Sequence, residues 1–259
     1  MSDMLHKIGR NDLAEYLSIC AKHISFDMNT AYVLISKALK YYKGDKSLKS
    51  ELRVGQEIES KWYASLEKGK PNYSLYNDDY FMVEMWCCWV IYSRNYLVSI
   101  KKNIDKFKGA NSIMDLGCGF GYTTSALTEI FPVAQVTGTQ LKNTVQYQMA
   151  TELGNKYGFT IQEEATDHAD LVFASEYFEH IEAPIDHLND VLEACTPRIL
   201  VIANSFGSKS MGHFNEYIVD GIRIENKKVG RLFNQRLRDV GYKQVKTGFW
   251  NNRPSIWAK

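Results

Sequence analysis

The sequence has no excess of charge of one sign, and it has few cysteines. Its 31 Lys and Arg residues are balanced by 30 Asp and Glu residues, which leaves a formal net charge of +1. Proteins that hold nucleic acid mainly through its phosphate backbone carry a basic surplus, so we expect no tight, non-specific binding of this kind, although a local basic patch stays open. The cysteines number 5, and no pair of them has the spacing of a zinc finger. We therefore expect reduced thiols and no metal site.

Long apolar runs are also missing. The first residues, MSDMLHKIGRNDL, lack the apolar segment of a secretory signal peptide. The most apolar stretch, Phe81–Ile100, contains Glu84, Arg94 and Asn95, which are too many polar groups for a good membrane span. The sequence therefore predicts a cytoplasmic protein without a membrane partner, and a buried helix over this stretch.

The chain changes its pattern near residue 108. Its 259 residues, 45% of them hydrophobic, are enough for one sizeable core with an accessory element. Before residue 108 apolar residues recur with helical spacing, whereas after it short apolar runs alternate with helical segments. We predict N-terminal helices at Asp12–His23, Asp27–Tyr42, Ser47–Glu67 and from Asn77 or Asp78 to Lys102. We predict strands at Ser112–Leu116, Ala134–Thr139, Phe159–Gln162, Asp170–Ser175, Arg198–Asn204, Tyr242–Trp250 and Arg253–Ala258, and helices at Tyr122–Ile130, Thr144–Tyr157, Pro184–Cys195 and Lys227–Val240.

Alternation of strands and helices predicts a parallel sheet that is covered on both faces. A final hairpin around Asn251 and Asn252 adds an antiparallel strand at one edge of that sheet. The predicted fold class is α/β, with a doubly wound, mostly parallel seven-stranded sheet, a terminal antiparallel hairpin and a preceding N-terminal helical region. We divide the chain into a helical cap or accessory region, residues 1–108, and a core domain, residues 109–259.

Three glycines at alternate positions follow the first predicted strand, in the stretch IMDLGCGFGYTT, residues 113–124. Glycine lets the backbone adopt positive φ and approach a ligand closely, and the helix that follows presents free N–H groups. The dinucleotide fingerprint G-x-G-x-x-G needs a glycine where Tyr122 stands, and no phosphate-loop lysine follows. The pattern therefore favours a different ligand at the carboxyl end of the sheet, with a tight turn that binds nothing as the alternative.

The stretch DLGCGFG, residues 115–121, resembles motif I of the class I S-adenosylmethionine-dependent methyltransferases. The resemblance runs from about residue 113 to the end of the chain, and it implies S-adenosylmethionine as cofactor and S-adenosylhomocysteine as product. It puts the Asp115 carboxylate near the amino group of the cofactor, whereas a carboxylate that only caps the turn is the alternative. It puts the backbone of the turn against the cofactor at Gly117, Cys118, Gly119 and Gly121.

The second strand departs from the pattern of the family, which usually has an acidic residue there to bind the ribose hydroxyls. The stretch QVTGTQL puts Gln140 at that position, beside Leu141. An amide still bonds a hydroxyl, but it lacks the charge that makes a carboxylate bond roughly twice as strong. The resemblance further implies that Glu164 lies near the adenine and that Ser175 faces the methyl group. Because of Gln140, a scaffold protein that keeps the fold without methyl transfer stays as an alternative.

The stretch EHIEAP, residues 179–184, resembles the E-H-x-x-x-P stretch of many small-molecule methyltransferases. An oxygen or nitrogen acceptor has to lose a proton, and histidine has the unperturbed pKa that suits this task. Our candidate bases are His180, His213 in the loop after the fifth strand, and Glu176. The alternatives are that His180 only orients its loop and that His213 is ordinary polar surface.

Tyrosines are the candidate wall of an acceptor pocket. Tyr177 follows the fourth strand, Tyr217 follows the fifth, and Tyr76 and Tyr80 lie in the segment KPNYSLYNDDY, residues 70–80. Such rings line a small-molecule pocket or stack on a flipped base, whereas ordinary packing at the edge of the core is the alternative. Long helical regions before the core often cover the acceptor pocket in the small-molecule members of the family that the sequence resembles.

Two signatures of base-methylating enzymes are missing. The N/D-P-P-Y/F stretch of amino-methylating DNA enzymes is replaced by SEYF at residues 175–178, and the Pro-Cys dipeptide of cytosine-C5 enzymes does not occur. We therefore predict in-line methyl transfer, which depends on positioning, to an oxygen or nitrogen atom of a small-molecule acceptor. A nucleic acid or a protein stays as the alternative acceptor. A basic cluster on one face would support this alternative, and its candidate members are Arg223, Lys227, Lys228 and Arg231.

Overall fold

In a computed structural model of the protein, the described residues are 13–23, 25, 28–42, 44, 53–246 and 253–259. The strands in these ranges are β1 (Ser112–Leu116), β2 (Gln135–Thr139), β3 (Thr160–Gln162), β4 (Leu171–Ser175), β5 (Ile199–Ala203), β6 (Glu216–Val219), β7 (Ile222–Glu225), β8 (Lys243–Val245) and β9 (Ser255–Ala258). Seven of them form one sheet, in the order β3-β2-β1-β4-β5-β9-β8. The pairs from β3 to β5 are all parallel, so the predicted doubly wound, mostly parallel sheet is confirmed.

The terminal hairpin joins this sheet in an unexpected order. The strand β9 pairs antiparallel with both β5 and β8, which makes β8 the edge strand and β9 an inner one. The predicted antiparallel hairpin at one edge of the sheet is therefore confirmed, and it is the later strand, β9, that takes the inner position. The reason is burial, because Ile256 and Trp257 of β9 are almost inaccessible while Lys243 and Gln244 of β8 are exposed. The strand with more apolar surface takes the inner position, where both of its faces are covered.

The α-helices are α1 (Leu13–Cys20), α2 (Met28–Tyr42), α3 (Arg53–Glu67), α4 (Asp79–Cys88), α5 (Arg94–Lys102), α6 (Tyr122–Ile130), α7 (Val145–Tyr157), α8 (Pro184–Cys195) and α9 (Asn226–Asp239). They agree with the predicted helices within a few residues wherever the chain is described. The proposed N-cap Asp27, residues 47–52 of the third predicted helix and residues 247–252 of the terminal hairpin lie outside the described residues. Over the described ranges, none of the helices is both long and apolar enough to cross a membrane.

The fourth predicted helix is divided into two parts. It begins where we expected, because the carboxylate of Asp78 accepts a hydrogen bond of 3.0 Å from the backbone N–H of Tyr80. A π-helical turn, Trp89–Ser93, then separates α4 from α5. Single π-helical turns of this kind are rare in proteins, and those that occur are often found at functional sites.

A β-hairpin that the sequence analysis missed follows β5. The strands β6 and β7 pair antiparallel around Asp220 and Gly221, whose φ angles are +51° and +75°. Two positive φ angles in succession are typical of the type I′ turn, and the dipeptide Asp-Gly is its usual sequence. The signal was therefore present in the sequence between EYIV and IRIE.

The N-terminal helices share their core with the sheet. Tyr16 of α1 and Trp86 of α4 are buried together with Ile113 of β1 in one apolar cluster. Trp62 of α3 is buried in a second cluster with Met114 of β1. The two predicted regions, 1–108 and 109–259, thus contribute side chains to the same two clusters, and their division at residue 108 stays a prediction.

Candidate cofactor and acceptor site

The glycine-rich turn lies at a topological switch point of the sheet. It follows β1, which is paired with β2 on one side and β4 on the other. The chain leaves β1 toward β2 and β3, whereas β4 continues toward β5 on the opposite side. In open α/β sheets a crevice for ligands forms at this point, outside the carboxyl ends of the strands.

The three glycines of the turn all adopt left-handed backbone conformations. The φ angles are +61° at Gly117, +59° at Gly119 and +91° at Gly121, a region that other residues enter only at a cost. Gly121 is also the N-cap of α6, and no side chain caps this helix end. The turn is therefore bare backbone that leads into a helix N-terminus, which suits a polar or anionic group of a ligand.

Two side chains from other parts of the chain lie against this turn. A Cβ atom at Gly119 would stand 2.6 Å from Cε of Met85 in α4, and a Cβ atom at Gly117 would overlap the ring of Tyr177. The turn itself adds Phe120, whose ring centroid lies 5.2 Å from that of Tyr16. The N-terminal helices thus cover the turn directly, and neither Met85 nor Tyr16 was predicted to do so.

Asp115, near the end of β1, is buried beside the turn. It is 2% exposed, and its Oδ2 accepts a hydrogen bond of 2.7 Å from the hydroxyl of Thr124 in α6. Burial raises the pKa of the Asp115 carboxyl to about 7, and the hydrogen bond from Thr124 opposes this shift. At neutral pH this carboxyl is partly protonated, and a cationic partner would stabilise its ionised form.

Gln140 lies at the carboxyl end of β2, next to the glycine-rich turn. Its Nε2 donates to the carbonyl of Gly119 over 3.4 Å, and its Oε1 accepts from the backbone N–H of Leu141 over 3.0 Å. The first of these bonds is long and weak. The amide of Gln140 is therefore only weakly held on its nitrogen side, and Leu141 is exposed beside it.

The remaining predicted cofactor residues are spread along the same edge. Cys118 is buried, and its Sγ is 2.8 Å from where a Cβ atom of Gly138 would stand. Glu164 is exposed after β3, and its carbonyl accepts a hydrogen bond of 2.7 Å from Nε2 of Gln162. The hydroxyl of Ser175, at the end of β4, lies 3.5 Å from that of Ser93 in the π-helical turn.

Glu176, a predicted base, is engaged at both carboxylate oxygens. Its Oε1 forms an ion pair with Arg253 and accepts from the hydroxyl of Tyr96 over 3.2 Å, while its Oε2 accepts from the hydroxyl of Ser205 over 2.7 Å. The residue has a φ of +53°, which costs a non-glycine residue roughly 1–3 kcal/mol. A carboxylate held in this way joins β4 to the C-terminal strand, and the geometry favours a positioning role over proton abstraction.

Glu179 is a buried carboxyl that the sequence analysis did not select. Its Oε1 accepts a 2.7 Å hydrogen bond from the backbone N–H of Ser205 and lies 2.7 Å from the hydroxyl of the same residue, whereas its Oε2 has no partner among the described residues. Burial, followed by the charge of Glu176, raises the pKa of this carboxyl. Its place in the E-H-x-x-x-P stretch was the signal that could have identified it.

The two candidate histidines come together from different loops. The imidazole rings of His180, after β4, and His213, after β5, meet edge to face with centroids 4.8 Å apart. Nδ1 of His180 lies 2.8 Å from the hydroxyl of Tyr76, and Nδ1 of His213 lies 2.8 Å from the carbonyl of Ser208. Because a carbonyl only accepts, Nδ1 of His213 carries the proton and its Nε2 is left as an acceptor.

Burial affects both imidazoles in the same direction. It lowers the pKa of His180 to about 3, and the neighbouring charge of His213 lowers it further. Burial also lowers the pKa of His213, while the hydrogen bond to Ser208 opposes that shift. Both rings are therefore neutral at neutral pH, and two rings this close do not readily carry a proton each.

The loop after β5 is held against α3 and the segment 73–77. Nε1 of Trp62 donates to the carbonyl of His213 over 2.6 Å. Gly212 has a φ of +86°, and a Cβ atom there would overlap Oη of Tyr76 and Nδ1 of His180. Glycine at position 212 thus lets this loop approach the hydrogen bond between Tyr76 and His180.

The other predicted substrate tyrosines differ in position. The hydroxyl of Tyr177 lies 2.8 Å from Nε2 of His187 in α8, and its ring lies over Gly117. Tyr217 is fully buried in β6, where its hydroxyl donates to the carbonyl of Glu179 over 2.8 Å. Its position favours packing over contact with an acceptor. Tyr80 is half-buried in α4 and packs against the second apolar cluster.

Residues 114–200 match the family model described as "Methyltransferase domain". The solved structures that resemble the chain include the mitomycin 7-O-methyltransferase MmcR, which is 14% identical, covers 80% of this chain and 67% of its own, and has a TM-score of 0.49. They also include an S-adenosylmethionine-dependent methyltransferase from Aquifex aeolicus, which is 16% identical and has a TM-score of 0.41. The match covers 64% of this chain and 90% of the Aquifex chain. An O-methyltransferase family protein from Burkholderia thailandensis is 11% identical and has a TM-score of 0.47, and the match covers 78% of this chain and 69% of the Burkholderia chain. No curated protein matches the sequence.

The expectation from motif I is thereby confirmed for residues 114–200, which match a methyltransferase domain. The turn that carries the motif follows β1, and the matched residues 114–200 extend from β1 into β5. The match continues through the strands whose order creates the crevice beside the turn. Residues 114–200 of the chain therefore match a methyltransferase domain, and the cofactor that motif I and this domain imply is S-adenosylmethionine.

Proposed function

We propose that the chain transfers the methyl group of S-adenosylmethionine to an oxygen or nitrogen atom of a small molecule, with His213 as the general base. The observation that carries this proposal is the meeting of His180 and His213, with ring centroids 4.8 Å apart, at the edge of the sheet that holds the glycine-rich turn. Two loops that are far apart in sequence supply them. The cofactor supplies an activated methyl group, so the protein has to position the acceptor and remove its proton.

The cofactor residues follow from the position of the turn. The bare backbone at Gly117, Gly119 and Gly121 suits close contact with the cofactor, and the buried carboxyl of Asp115 suits its ammonium group. The amide of Gln140 suits a ribose hydroxyl, because its Nε2 holds only a long bond to Gly119. Met85 and Tyr177 lie over the turn, and we infer that both side chains turn aside when the cofactor binds.

His213 is the better base of the pair for two reasons. Its Nε2 is left as an acceptor by the hydrogen bond that Nδ1 donates to Ser208. The pKa of His180 is lowered to about 3, which makes its ring a weak proton acceptor at neutral pH. His180 then acts as a positioning residue, which is held by Tyr76 and packs edge to face against His213.

The surroundings of this pair suit a small acceptor. The rings of Trp62 and Phe81 meet the ring of Tyr76 edge to face, at centroid distances of 6.4 and 5.1 Å. The segment 73–77 and α3 thus close over the histidines from the N-terminal side, and we infer that residues 1–108 act as a cap over the acceptor. A cap of this kind leaves room for a small molecule more readily than for a duplex.

The basic cluster that would favour a nucleic acid is partly neutralised. Arg223 forms an ion pair of 3.3 Å with Glu182, and Lys228 forms one of 3.2 Å with Glu225. Two of the four cations of the cluster therefore have acidic partners. This weakens the support for a phosphate-binding surface.

A labelled-methyl screen tests the proposal. The protein is incubated with S-adenosylmethionine that carries a radioactive methyl group, together with panels of phenols, carboxylic acids, amines, RNA and protein. We expect label to enter a small-molecule acceptor in the wild type, with a loss of roughly 10²–10⁴-fold in His213→Gln. The matched control is His168→Gln, whose exposed ring lies near Thr196, outside the proposed site. Label in RNA or protein alone, or equal rates in both variants, would overturn the proposal.

A further inference from the structure

Arg94, the first residue of α5, is a buried cation that forms no ion pair within the described part of the chain. It is 4% exposed, and its Nε and Nη1 have no hydrogen-bond partner among the described residues. Burying guanidinium nitrogens without partners is costly, because the hydration of those nitrogens is lost and nothing replaces it. Buried polar groups in folded proteins nearly always find a partner, and an exception calls for an explanation such as an absent ligand.

The position of Arg94 in the fold suggests where that ligand lies. The preceding π-helical turn places the hydroxyl of Ser93 3.5 Å from that of Ser175, at the carboxyl end of β4. At the other end of the π-helical turn, the ring of Trp89 lies 5.9 Å from that of Tyr122, the first residue of α6. Arg94 therefore belongs to the segment that crosses the switch point between β1 and β4.

Among the described residues, no carboxylate at this edge of the sheet forms an ion pair with Arg94. Asp115 is bonded to Thr124, and Glu176 forms an ion pair with Arg253. Burial is the influence that lowers the pKa of Arg94, and no acidic residue opposes this shift. Within the described chain, nothing neutralises the guanidinium, and a ligand with an anionic group at the switch point would.

We propose that Arg94 binds the carboxylate of a ligand in the crevice beside the glycine-rich turn. The inference rests on the proposed function, since it takes the cofactor and its acceptor as the ligands of this crevice. A carboxylate there has two sources, the α-carboxylate of the cofactor and a carboxylate on an acidic acceptor. Arginine suits either, because charge-assisted hydrogen bonds between guanidinium and carboxylate are roughly twice as strong as neutral ones.

Calorimetric titration with two cofactor analogues separates these sources. S-adenosylhomocysteine carries the α-carboxylate, whereas S-adenosyl-3-thiopropylamine has the same adenosine, thioether and amine without it. If the cofactor is the source, Arg94→Gln raises the Kd of S-adenosylhomocysteine at least about tenfold, as expected for a charged hydrogen bond. The Kd of the thiopropylamine stays within about twofold, and the exposed-site control Arg231→Gln changes neither value.

The second arm tests an acidic acceptor. The probes are 4-hydroxybenzoate and its neutral analogue 4-hydroxybenzamide, which are titrated into protein saturated with S-adenosylhomocysteine. If the acceptor is the source, Arg94→Gln weakens binding of the benzoate at least about tenfold relative to the benzamide. The result that overturns the proposal is an unchanged preference for the carboxylate in both arms.

A further variant and a further outcome keep this test separate from folding and from the proposed function. If Arg94→Gln does not fold, Arg94→Lys takes its place in the test. This variant keeps the charge, and we expect it to lose part of the preference for a carboxylate. An unstable Arg94→Lys as well would show a structural role and overturn the proposal. If the wild type binds S-adenosylhomocysteine but methylates nothing, the proposed function fails and the calorimetric test of Arg94 still holds. If the wild type binds neither cofactor analogue, the proposed function and the proposal for Arg94 both fail.

Discussion

The phenolic hydroxyl of Tyr76 lies 2.8 Å from Nδ1 of His180, and this contact joins the N-terminal helical region to the loop after β4. Burial raises the pKa of Tyr76 well above its usual range, so the phenol keeps its proton. Gly212 packs against the same two atoms from the loop after β5. Three separate parts of the chain therefore meet at one hydrogen bond beside the proposed base.

The first prediction concerns this hydrogen bond. Tyr76→Phe keeps the ring and removes the hydroxyl, so His180 loses the group that orients it. We expect kcat to fall by roughly 3–30-fold, in line with one hydrogen bond, with an unchanged Kd for S-adenosylhomocysteine. Steady-state kinetics and calorimetry measure the two effects. Tyr73→Phe is the control, because the Tyr73 side chain is half-exposed and packs edge-on against Trp62. An equal loss in that control would contradict the role of Tyr76.

The second prediction concerns the pH dependence of His213. Burial lowers the pKa of this imidazole below its usual value of 6.5, so the ring is already neutral at pH 7. We expect turnover to be flat above about pH 6.5 and to fall in acid as the base becomes protonated. The residual activity of His213→Gln should lack this acidic limb. If the turnover of His213→Gln falls in acid with the same midpoint pH as that of the wild type, a group other than His213 is responsible for the fall.

The third prediction concerns the stability of the buried carboxyl of Asp115. Its pKa in the folded state is about 7, which is above the usual value of 3.8, so the folded state binds more protons than the unfolded state between these pH values. The wild type therefore loses stability as the pH rises from about 4 to 7. Asp115→Asn keeps an acceptor for Thr124 and removes the charge.

Thermal unfolding of both proteins at pH 4.5 and pH 8 checks the sign of this effect. We expect the Tm of Asp115→Asn to exceed that of the wild type by several degrees at pH 8, and the difference to shrink at pH 4.5. Because the variant removes the anionic partner that we propose for the ammonium group of the cofactor, it should also bind S-adenosylmethionine more weakly. A larger Tm difference at pH 4.5 than at pH 8 would contradict the linkage argument.

The fourth prediction concerns the departure from the family at Gln140. Gln140→Glu gives up the 3.4 Å bond to the Gly119 carbonyl, which is too long to contribute much. It keeps an oxygen for the N–H of Leu141, and it adds a charged acceptor for the ribose hydroxyls. We expect the Kd of S-adenosylmethionine to fall by about 3–10-fold, because charge-assisted hydrogen bonds are stronger. Calorimetry measures it, and an unchanged Kd would show that the residue lies away from the ribose. Gln162→Glu, in β3, is the matched control.

Local sequence was sufficient for most of the secondary structure and for the glycine-rich turn. The strands β1 and β4 are short apolar runs, and the turn after β1 needs residues that tolerate positive φ, so Gly117, Gly119 and Gly121 identify it. Pro184, at the start of α8, and Gly241, after α9, mark helix ends for similar reasons. The Asp-Gly turn between β6 and β7 belongs with these local signals, although we overlooked it.

The acceptor half of the site is decided by tertiary structure. His180 and His213 are separated by an entire helix and strand, and no local pattern states that their rings meet. The same is true of Glu176, whose partner Arg253 arrives on the segment before β9, and of the inner position of β9, which burial of Ile256 and Trp257 determines. The sequence by itself determined which residues have reactive side chains and which turns are bare backbone, because these features depend on single residues and their neighbours. Only packing between distant segments decided which of those residues share a site, because their burial and partners depend on the whole sheet.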